Sequence, residues 1–536
     1  MKKLWKVTLW AIALLSVLLV LGGCGGDKSE EKPDKKPGGG THTCVGETWV
    51  TEKEATCKED GSKTLVCACG KTVKTEVIPL GNHNVVNGVC IVCGSSRMEI
   101  RTVADLKNVA SNLSGTYVLM NDLNLGGAEW TPIGTDKNMF EGVFDGNGHV
   151  ISNFKITVDM ECAGLFGYNN GEIKNLGVQG FTVDVAYFTS YNTYAGGLIG
   201  KNGGTVTNCY AEGSVCSNNT STGWAIAGGL IGNNGGTITS CYAEGDVSSM
   251  SLGDSYAGGL VGYSYGRISL HAIITNCYAA ADVSGASSGV TFVGGLIGYQ
   301  GKSVDPARAA ITGCYATGDV RGISSGSSMY VGGLVGRNED GTITSCYAAG
   351  DVSGTSLDSA VVVGGLVGVN EGVITSCYAV GHVNGTSSAA SVCVGGLVGS
   401  NIVGADDSVI MNCYAMGAVS GTCSTNYPFI GGLIGENGGT VTNCYAAGDV
   451  SGICSANYAS VGGLVGRNYG TITNCYRYSG QSFTVTANGT TTYEATSTEG
   501  TATDMATLQS VDFQKNTLTW LSDDWNFTEG AHPTLK

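Results

Sequence analysis

The sequence predicts an all-β fold: a parallel β-helix, or β-solenoid, of about ten coils, preceded by a small Cys-rich module. Three observations carry this prediction. A Gly-Gly-Leu-(Ile/Val)-Gly string recurs nine times, a Cys-Tyr pair follows each copy, and the composition is that of strands and turns, with 86 glycines and 7 prolines in 536 residues. Only 13% of the residues are charged. Such a chain suits short β-strands joined by tight turns.

The chain begins with a targeting segment. Lysines at positions 2, 3 and 6 precede an apolar run that ends in Leu21-Gly22-Gly23-Cys24. A charged start and an apolar stretch are typical of an export signal. The small residues before the cysteine resemble a bacterial lipobox, which implies lipidation of Cys24. The alternative is a plain membrane anchor, for which the run is short, since a bilayer core is about 30 Å thick.

These features predict a lipoprotein signal peptide at residues 1–23 and a protein of the bacterial cell envelope. The lipid would hold it to a membrane, with the rest of the chain outside the cytoplasm. Residues 24–40 combine Gly, Pro and charged side chains without a hydrophobic pattern. That composition predicts a flexible tether.

Residues 41–95 form the predicted Cys-rich module. This module is too small for a large hydrophobic core and would need disulfides or a bound metal ion for stability. Cys90-Ile91-Val92-Cys93 has the spacing of a zinc knuckle, and Cys67-Ala68-Cys69 can supply two more ligands. A disulfide framework is the alternative outside the cytoplasm. A structural zinc at Cys67, Cys69, Cys90 and Cys93 and a set of disulfides therefore both stay open.

The repeats indicate the fold. The Leu of the repeated string stands at Leu198, Leu230, Leu260, Leu296, Leu334, Leu366, Leu397, Leu433 and Leu464, at intervals of 30 to 38 residues. The following cysteines are Cys209, Cys241, Cys277, Cys314, Cys346, Cys377, Cys413, Cys444 and Cys475. One unit is too short to bury a core alone, so the units must stack and share one. Three β-rich stretches per unit, without helical periodicity, favour a β-helix.

Alternation along a strand assigns the side chains of each unit to two faces. In residues 346–352, Cys, Ala, Gly and Val fall on one face, and Tyr, the variable residue and Asp fall on the other. We therefore predict that the cysteines point inward and the tyrosines outward, and the opposite phase stays open. The residue before each cysteine is Asn, Ser or Gly, which predicts a corner there.

At this point the units resemble the GLUG motif of bacterial surface proteins, which occurs in adhesins and beside some secreted peptidases. Residues 100–158 look like the usual lead-in to such arrays, with Trp130-Thr131-Pro132-Ile133-Gly134 among its marks. The tail, with His532-Pro533-Thr534-Leu535, is similar to the closing segment of the family. The resemblance divides the chain into an N-terminal cap at 96–160, solenoid repeats at 161–480 and a C-terminal capping segment at 481–536.

Two predicted columns are candidate ligand-binding surfaces. The tyrosines are Tyr210, Tyr242, Tyr278, Tyr315, Tyr347, Tyr378, Tyr414, Tyr445 and Tyr476. The acidic residues are Asp246, Asp282, Asp319, Asp351 and Asp449. Exposed aromatic rings beside carboxylates can stack on sugars or contact proteins, whereas rings that stack on one another only stabilise the sheet. The carboxylates suit carbohydrate chemistry or calcium binding, or are simple turn residues.

The remaining cysteines and loops give further candidates. The nine repeated cysteines are best interpreted as small apolar core residues. Cys423 and Cys454 occupy matching places outside that column and are the best candidates for a disulfide. Longer insertions follow Gly262, Gly298 and Gly399 and form a second candidate site. Their charged residues are Arg267, His271, Asp305, Arg308, Asp406 and Asp407.

The sequence favours a binding protein over an enzyme. It contains no His-Glu-x-x-His motif, and its six histidines are scattered. A formal charge of −16 argues against nucleic acid as a partner. We expect an adhesin-like display or binding module for an extracellular glycan or a host or matrix protein, with no cofactor in the solenoid. The alternatives are a carbohydrate-active β-helix, a lyase or hydrolase, and a structural spacer without a ligand.

Overall fold

The computed structural model describes residues 47–53, 61–68, 72–78, 85–86, 89–90, 97–157, 159–187, 191–265, 272–302, 309–402, 408–425, 427–455, 458–492 and 495–536. The chain divides into two compact units, residues 1–82 and 83–536. The described part of the first unit is a three-stranded antiparallel sheet of Glu47–Lys53, Gly61–Cys67 and Thr72–Ile78. Its middle strand carries the buried residues Thr64 and Cys67.

The second unit is a parallel β-solenoid, as predicted. Each coil has four strands, one more than the three stretches expected, because the Gly-Gly-Leu segment bends between two strands instead of forming one. The first strands of the coils pair into sheet 1 and the second strands into sheet 2, each with ten strands in parallel register. The third and fourth strands form sheets 3 and 4. Ten strands in each of two sheets confirm the prediction of about ten coils.

Sheets 1 and 2 flank the Gly-Gly-Leu bend. Sheet 1 contains Cys162–Ala163, Thr193–Gly196, Ala225–Gly228, Ser255–Gly258, Thr291–Gly294, Met329–Gly332, Val361–Gly364, Val392–Gly395, Pro428–Gly431 and Ser460–Gly462. Sheet 2 contains Phe166–Asn169, Ile199–Asn202, Ile231–Asn234, Val261–Ser264, Ile297–Gln300, Val335–Asn338, Val367–Asn370, Val398–Asn401, Ile434–Asn437 and Val465–Asn468.

Sheet 3 has thirteen strands, because the lead-in segment adds three at its start. They are Arg97–Ile100, Thr116–Leu119, Val143–Asp145, Glu172–Lys174, Thr205–Thr207, Thr237–Thr239, Ile273–Thr275, Ala310–Thr312, Thr342–Thr344, Val373–Thr375, Val409–Met411, Thr440–Thr442 and Thr471–Thr473. Residues 97–156 thus form the first coils of the solenoid and continue directly into the repeats.

Sheet 4 changes character along the solenoid. Its first strands are continuous: Leu123–Glu129, Val150–Ile156, Gly177–Tyr187, Tyr210–Asn219, Tyr242–Ser251 and Tyr278–Ser287. Later strands are split in two: Tyr315–Ala316 and Val320–Ser324, Tyr347–Ala348 and Val352–Ser356, Tyr378–Ala379 and Val383–Ser387, Tyr414–Ala415 and Val419–Cys423, Tyr445–Ala446 and Val450–Cys454. The sheet ends with Tyr476–Tyr478, Phe483–Ala487, Thr490–Thr492 and Thr501–Thr503.

The core runs along the solenoid axis as columns of equivalent residues. The nine repeated leucines are fully buried, and the nine cysteines are at most 4% exposed. The inward phase predicted for the cysteines is therefore confirmed. Each thiol also makes polar contacts at the corner: Cys346 Sγ donates to the carbonyl of Thr344 at 3.1 Å, and the Cys346 N–H donates to Cys377 Sγ at 3.4 Å.

The corner before each cysteine has the left-handed backbone expected of turn formers. Equivalent residues have φ between 50° and 63°: Asn208, Ser240, Asn276, Gly313, Ser345, Ser376, Asn412, Asn443 and Asn474. Asn and Gly tolerate this conformation at low cost. The Gly-Gly bend has a different cause, since a Cβ on Gly364 would overlap the Val367 carbonyl and one on Gly365 would overlap the Gly396 carbonyl. Only glycine lets the coils approach this closely.

Buried asparagines form a ladder at the end of sheet 2. Asn370 Nδ2 donates to Asn401 Oδ1 at 2.9 Å, and Asn338 Nδ2 donates to Asn370 Oδ1 at 2.9 Å. The same run continues through Asn437 to the partly exposed Asn468, and a second run, Asn169, Asn202 and Asn234, is separated from it by Ser264 and Gln300. Buried amides need such partners, so the ladder fixes the register of neighbouring coils.

Short elements complete the second unit. An α-helix, Val103–Asn108, buries Leu106 in the core at the N-terminal end, and a 3₁₀ turn, Val109–Ser111, follows it. The side chains of Thr102 and Asp105 cap that helix reciprocally. Two small hairpin pairings are Val85–Val86 with Val89–Cys90 and Trp525–Asn526 with Thr534–Leu535. A helix Met505–Leu508 and a π-helical turn Phe513–Thr517 lie in the tail.

Candidate functional site

The tyrosine column is a continuous stack of rings. Neighbouring rings from Tyr210 to Tyr445 lie 4.7 to 5.1 Å apart, with interplanar angles of 1° to 6°. Each ring between Tyr210 and Tyr445 is therefore covered on both faces by its two neighbours. Tyr210, at the start, rests on the backbone of Gly177, where a Cβ would overlap the ring. The column thus offers ring edges and hydroxyl groups to a ligand, while its ring faces are covered.

The tail of the chain covers the last part of this column. Tyr414 and Tyr445 are 2% and 0% exposed, although the rings from Tyr210 to Tyr378 remain half-buried. Trp520 stacks over Tyr445 at 5.6 Å, and Trp525 lies 5.8 Å from Tyr414. The C-terminal segment was expected to close the end of the solenoid. Residues 483–503 do pair with its last coils, but residues 505–535 fold back along the side.

Hydrogen bonds fix this tail in place. Tyr414 Oη donates to the carbonyl of Pro533 at 2.7 Å, and Ser376 Oγ donates to Asp524 at 2.9 Å. The indole of Trp520 donates to the carbonyl of Asn443 at 2.9 Å. While the tail is bound, a ligand therefore cannot reach Tyr414 or Tyr445, whereas the rings from Tyr210 to Tyr378 stay partly exposed. Ligand binding by the column stays a prediction for those rings.

The aspartate column joins neighbouring coils. The Asp282 carboxylate accepts the N–H of Asp319 at 2.9 Å, and the Asp319 carboxylate accepts the N–H of Asp351 at 2.9 Å. Asp351 and Asp449 accept the N–H groups of His382 and Ser482 in the same way, at 2.8 and 2.7 Å. These contacts begin where the strands of sheet 4 become split, whereas Asp246 lies opposite Asp282 in an unbroken strand pair.

This pattern gives the carboxylates a structural role. In the split coils the backbone pairing of sheet 4 stops before the aspartate. There the aspartate carboxylate of one coil accepts the backbone N–H at the equivalent position of the next coil. All five column residues are exposed, so each carboxylate keeps an oxygen toward solvent. The column is interrupted at Ala418, and a shallow cleft of about 350 Å³ lies there, lined by His382 and Asp449 among others.

A second pair of columns, which sequence reasoning missed, lines the concave corner between sheets 1 and 2. On sheet 1 the outward positions are Tyr194, Ile226, Tyr256, Phe292, Tyr330, Val362, Cys393, Phe429 and Ser460. On sheet 2 they are Tyr168, Lys201, Asn233, Tyr263, Tyr299, Arg337, Val369, Ser400, Glu436 and Arg467. The sequence did contain a signal for these columns. A variable residue stands two positions before each Gly-Gly pair, and a second one stands three positions after the Leu of each repeat.

In the first coils aromatic rings fill this corner. Phe292 and Tyr299 pack edge to face at 4.9 Å, and Tyr256 stacks on Phe292 at 4.9 Å. Lys201 Nζ lies 4.3 Å from the centre of the Tyr194 ring, a cation–π contact. Burial is the main cause that raises the pKa of Tyr263 to about 12. This half of the corner is a packed aromatic cluster.

Farther along, smaller side chains leave the corner open. We call this the corner cleft, and its lining includes Tyr330, Arg337, Val362, Val369, Cys393, Ser400, Phe429 and Glu436. Its volume is about 390 Å³, within the range of ligand pockets. Arg337 pairs with Glu371 at 2.6 Å beside one end, and Arg467 lies 3.8 Å from Glu436 at the other.

The open end of the corner cleft has an aromatic rim. An adjoining space of about 440 Å³ is lined by Tyr427, Phe429, Tyr458, Ser460 and Arg467. Tyr427 and Tyr458 are about half exposed and pack edge to face, with an interplanar angle of 68° and ring centres 5.9 Å apart. The Arg467 guanidinium lies 4.7 Å from the Phe429 ring. Apolar rings and a cation therefore line this space, and the Glu436 carboxylate lines the adjoining corner cleft.

Several predicted residues lie where the structure gives no account of them. Cys24, Cys69 and Cys93 are outside the described residues, as are Arg267, His271, Asp305, Arg308, Asp406 and Asp407. For Cys90 only the backbone is described, and Cys67 is buried in its sheet. Within the described ranges, no three His, Cys, Asp or Glu side chains are grouped so as to hold a metal ion. The zinc site therefore stays a prediction.

Among the helices described, none has the length and apolar character needed to cross a bilayer. A protein named "Putative Gly-rich membrane protein", from Evansella cellulosilytica, is 36% identical over 124 residues, covering 21% of this chain and 14% of that protein. The chain thus spans about one seventh of that relative.

Two solved structures were also compared. A "putative immunoglobulin A1 protease from Bacteroides ovatus" is 18% identical, with 82% of this chain and 92% of that chain covered and a TM-score of 0.28. An "IgA1 Protease" is 14% identical, with 68% of this chain and 24% of that chain covered and a TM-score of 0.22.

The repeats themselves match a known family. Seven segments match the family described as "The GLUG motif": residues 191–215, 226–248, 253–284, 292–321, 327–353, 430–451 and 457–476. Each matched segment lies on strands of the coils described above. The chain therefore carries seven GLUG-motif repeats, and these repeats form coils of the β-solenoid.

Proposed function

We propose that this protein is a lipid-anchored component of a bacterial cell envelope that binds an extracellular glycan in the corner cleft. Cys24 would carry the lipid, residues 24–40 would act as the tether, and the solenoid would present the cleft to the medium. The membrane-protein name of the relative from Evansella supports an envelope location, as does the lipobox-like start of the chain.

The observation that carries the binding proposal is the chemistry of the corner cleft. A sugar ring has an apolar C–H face and a rim of hydroxyl groups, so it needs an aromatic surface together with hydrogen-bond donors and acceptors. Tyr427 and Tyr458 supply exposed rings, and the buried Phe429 ring supports the Arg467 guanidinium. Arg467 and Glu436 supply a hydrogen-bond donor and an acceptor 3.8 Å apart.

The dimensions of the corner suit a chain molecule. From Tyr330 to Ser460 the corner crosses four coil steps, or about 19 Å at the usual spacing between strands. Net negative charge over the whole chain, −16, favours a neutral glycan over a polyanion. A protein ligand is the competing possibility that the experiment must separate.

A binding role accounts for this solenoid better than catalysis does. The carboxylates of the aspartate column, which are the natural candidates for carbohydrate chemistry, hold neighbouring coils together through backbone N–H groups. The corner cleft and its rim combine one carboxylate with two arginines and aromatic rings, a chemistry that suits recognition of a ligand.

The test is a glycan array probed with the full chain, followed by calorimetric titration of the best neutral glycan. We expect Phe429→Ala and Arg467→Ala each to weaken binding about tenfold, roughly 1.4 kcal/mol. Leu357→Ala changes an exposed apolar residue in a loop outside the cleft and should bind as the wild type does. Binding lost in Tyr242→Ala but kept in Arg467→Ala would place the ligand on the tyrosine column. Capture of proteins but no glycan would reject the glycan assignment.

A further inference from the structure

Two cysteines interrupt a column that is otherwise mostly serine. At the end of the fourth strand of each coil, the register partners are Ser287, Ser324, Ser356, Ser387, Cys423 and Cys454. The serines fasten the loop that follows their own strand or a neighbouring loop. Ser324 Oγ donates to the carbonyl of Ser327 at 2.5 Å, and Ser387 Oγ donates to the carbonyl of Ser359 at 2.9 Å.

The cysteines make a different contact. Cys423 Sγ lies 3.0 Å from Cys454 Sγ, and both residues are 1% exposed. They are direct register partners at the ends of adjacent parallel strands. Register partners have Cα atoms about 4.8 Å apart, a separation that a disulfide accepts. The two sulfur atoms need to approach by only about 1 Å to reach bonding distance.

The position of this pair connects it to the candidate site. The loop after Cys423 leads to Tyr427, and the loop after Cys454 leads to Tyr458. These are the two half-exposed rings on the rim of the corner cleft, 5.9 Å apart. A bond between the cysteines would tie the bases of both loops together.

We propose that Cys423 and Cys454 form a disulfide that fastens these two loops and so fixes the aromatic rim. Two S–H bonds break and one S–S bond forms. The two electrons and two protons pass to an incoming disulfide, of a protein oxidant or of oxidised glutathione, which leaves as two thiols. The thiolate of one cysteine attacks that disulfide, and the second cysteine then displaces the carrier. Because both side chains are buried in the finished fold, the exchange takes place while these coils assemble.

The nine-member cysteine column provides the internal comparison. Its thiols donate to backbone carbonyls, such as Cys413 to Met411 at 3.0 Å and Cys444 to Thr442 at 3.1 Å. Their sulfur atoms also accept N–H groups from neighbouring coils. These cysteines therefore have structural partners as thiols, and we expect them to remain reduced in the same sample.

The experiment uses the full chain, refolded with oxidised glutathione, denatured near neutral pH in excess alkylating agent so that free thiols are blocked at once, and digested without reduction. The expected product is a cross-linked pair of peptides holding Cys423 and Cys454, lighter than the two thiol peptides by two hydrogen atoms. Reduction should release both peptides. Both cysteines alkylated before reduction would overturn the proposal.

Serine substitution provides the control. Cys423→Ser restores the residue that other coils carry at this position, so the solenoid should fold and Cys454 should become fully alkylated. Cys454 still cross-linked in this variant would contradict the assigned pairing. Peptide mapping detects the disulfide whether or not any glycan binds. A negative result for the disulfide can therefore be told apart from a negative result for the glycan proposal.

Discussion

The hydroxyl of Tyr445 lies 2.8 Å from Nδ1 of His532, a contact that joins the solenoid to the end of the chain 87 residues later. Tyr445 is fully buried beneath the tail. The His532 ring also lies beside the Tyr414 ring, and the centres of these two rings are 5.9 Å apart. The tail therefore contacts the tyrosine column through His532, a titratable residue. This makes its attachment dependent on pH.

Mild acid should weaken the docking of the tail. Burial lowers the pKa of His532 below its ordinary 6.5, so the docked state favours the neutral imidazole. A released tail binds a proton at higher pH than a docked one. The contribution of His532 is thus fully present above pH 6.5 and is lost as pH falls toward the lowered pKa. The measurement is the emission of Trp520 and Trp525, which should shift to the red as they become exposed.

A His532→Gln variant is the control for this titration, because glutamine can still bond to Tyr445 but does not titrate. Its emission should stay constant between pH 7 and pH 5, a range that spans the ordinary histidine pKa. The same red shift in the glutamine variant would assign the pH dependence to another group.

Removing the ring of Trp525 should release the tail from the column. Trp525 is 1% exposed and lies between Tyr414 and Trp520. Trp525→Ala should cost about 3–5 kcal/mol in local stability, as for other buried aromatic residues. Within the described part of the chain its indole N–H has no hydrogen-bond partner, so Trp525→Phe should cost much less. Limited proteolysis of residues 505–536 measures both, and equal sensitivity of the two variants would contradict the packing role.

Breaking the asparagine ladder should destabilise the middle of the solenoid. Asn370 is fully buried and bonds to Asn338, Asn401 and the backbone of Gly372. Asn370→Ala leaves these groups unpaired and should cost about 1–3 kcal/mol. Chemical denaturation measures the loss. Asn384→Ala, at an exposed position of the same coil, should change the free energy of unfolding by less than about 0.5 kcal/mol, and an equal loss there would refute the ladder as the cause.

The repeated thiols should be unreactive until the solenoid unfolds. Cys346 and Cys377 are fully buried, whereas Cys162 and Cys216 are partly exposed. Burial raises the pKa of Cys162 to about 12, and only the thiolate reacts. Peptide mapping after alkylation should find Cys162 and Cys216 labelled slowly in the native state, and faster at higher pH. Early labelling of Cys346 would mean that the core opens before global unfolding.

The architecture was predictable from the sequence because each unit repeats the same physical constraints. Alternation around Cys346 assigned the inward face, and the turn-forming residue before it indicated the left-handed corner that the backbone has. The number of strands per coil was not predictable in this way. The bend at Gly364 and Gly365 depends on close approach between coils, which only the three-dimensional structure shows.

The site was less accessible to sequence reasoning. Repeats direct attention to recurring residues such as Tyr347 and Asp351, and these have structural partners in the folded chain. The corner cleft arises from positions that vary between coils, Tyr330, Val362 and Cys393 among them. The folding back of Trp525 onto Tyr414 is a contact between distant parts of the chain, and no local pattern indicates it.

Strand pairing in the solenoid links each coil mainly to the one before and the one after it. A gene that gained or lost one whole repeat would therefore encode a rod about 4.8 Å longer or shorter, with unchanged caps and an intact interior. The tail contacts the tyrosine column only from Tyr378 onward. Repeats gained or lost nearer the start would therefore change the length of the solenoid without disturbing the contacts of the tail. Variants of this protein can thus differ in the length of the solenoid while keeping the same C-terminal coils.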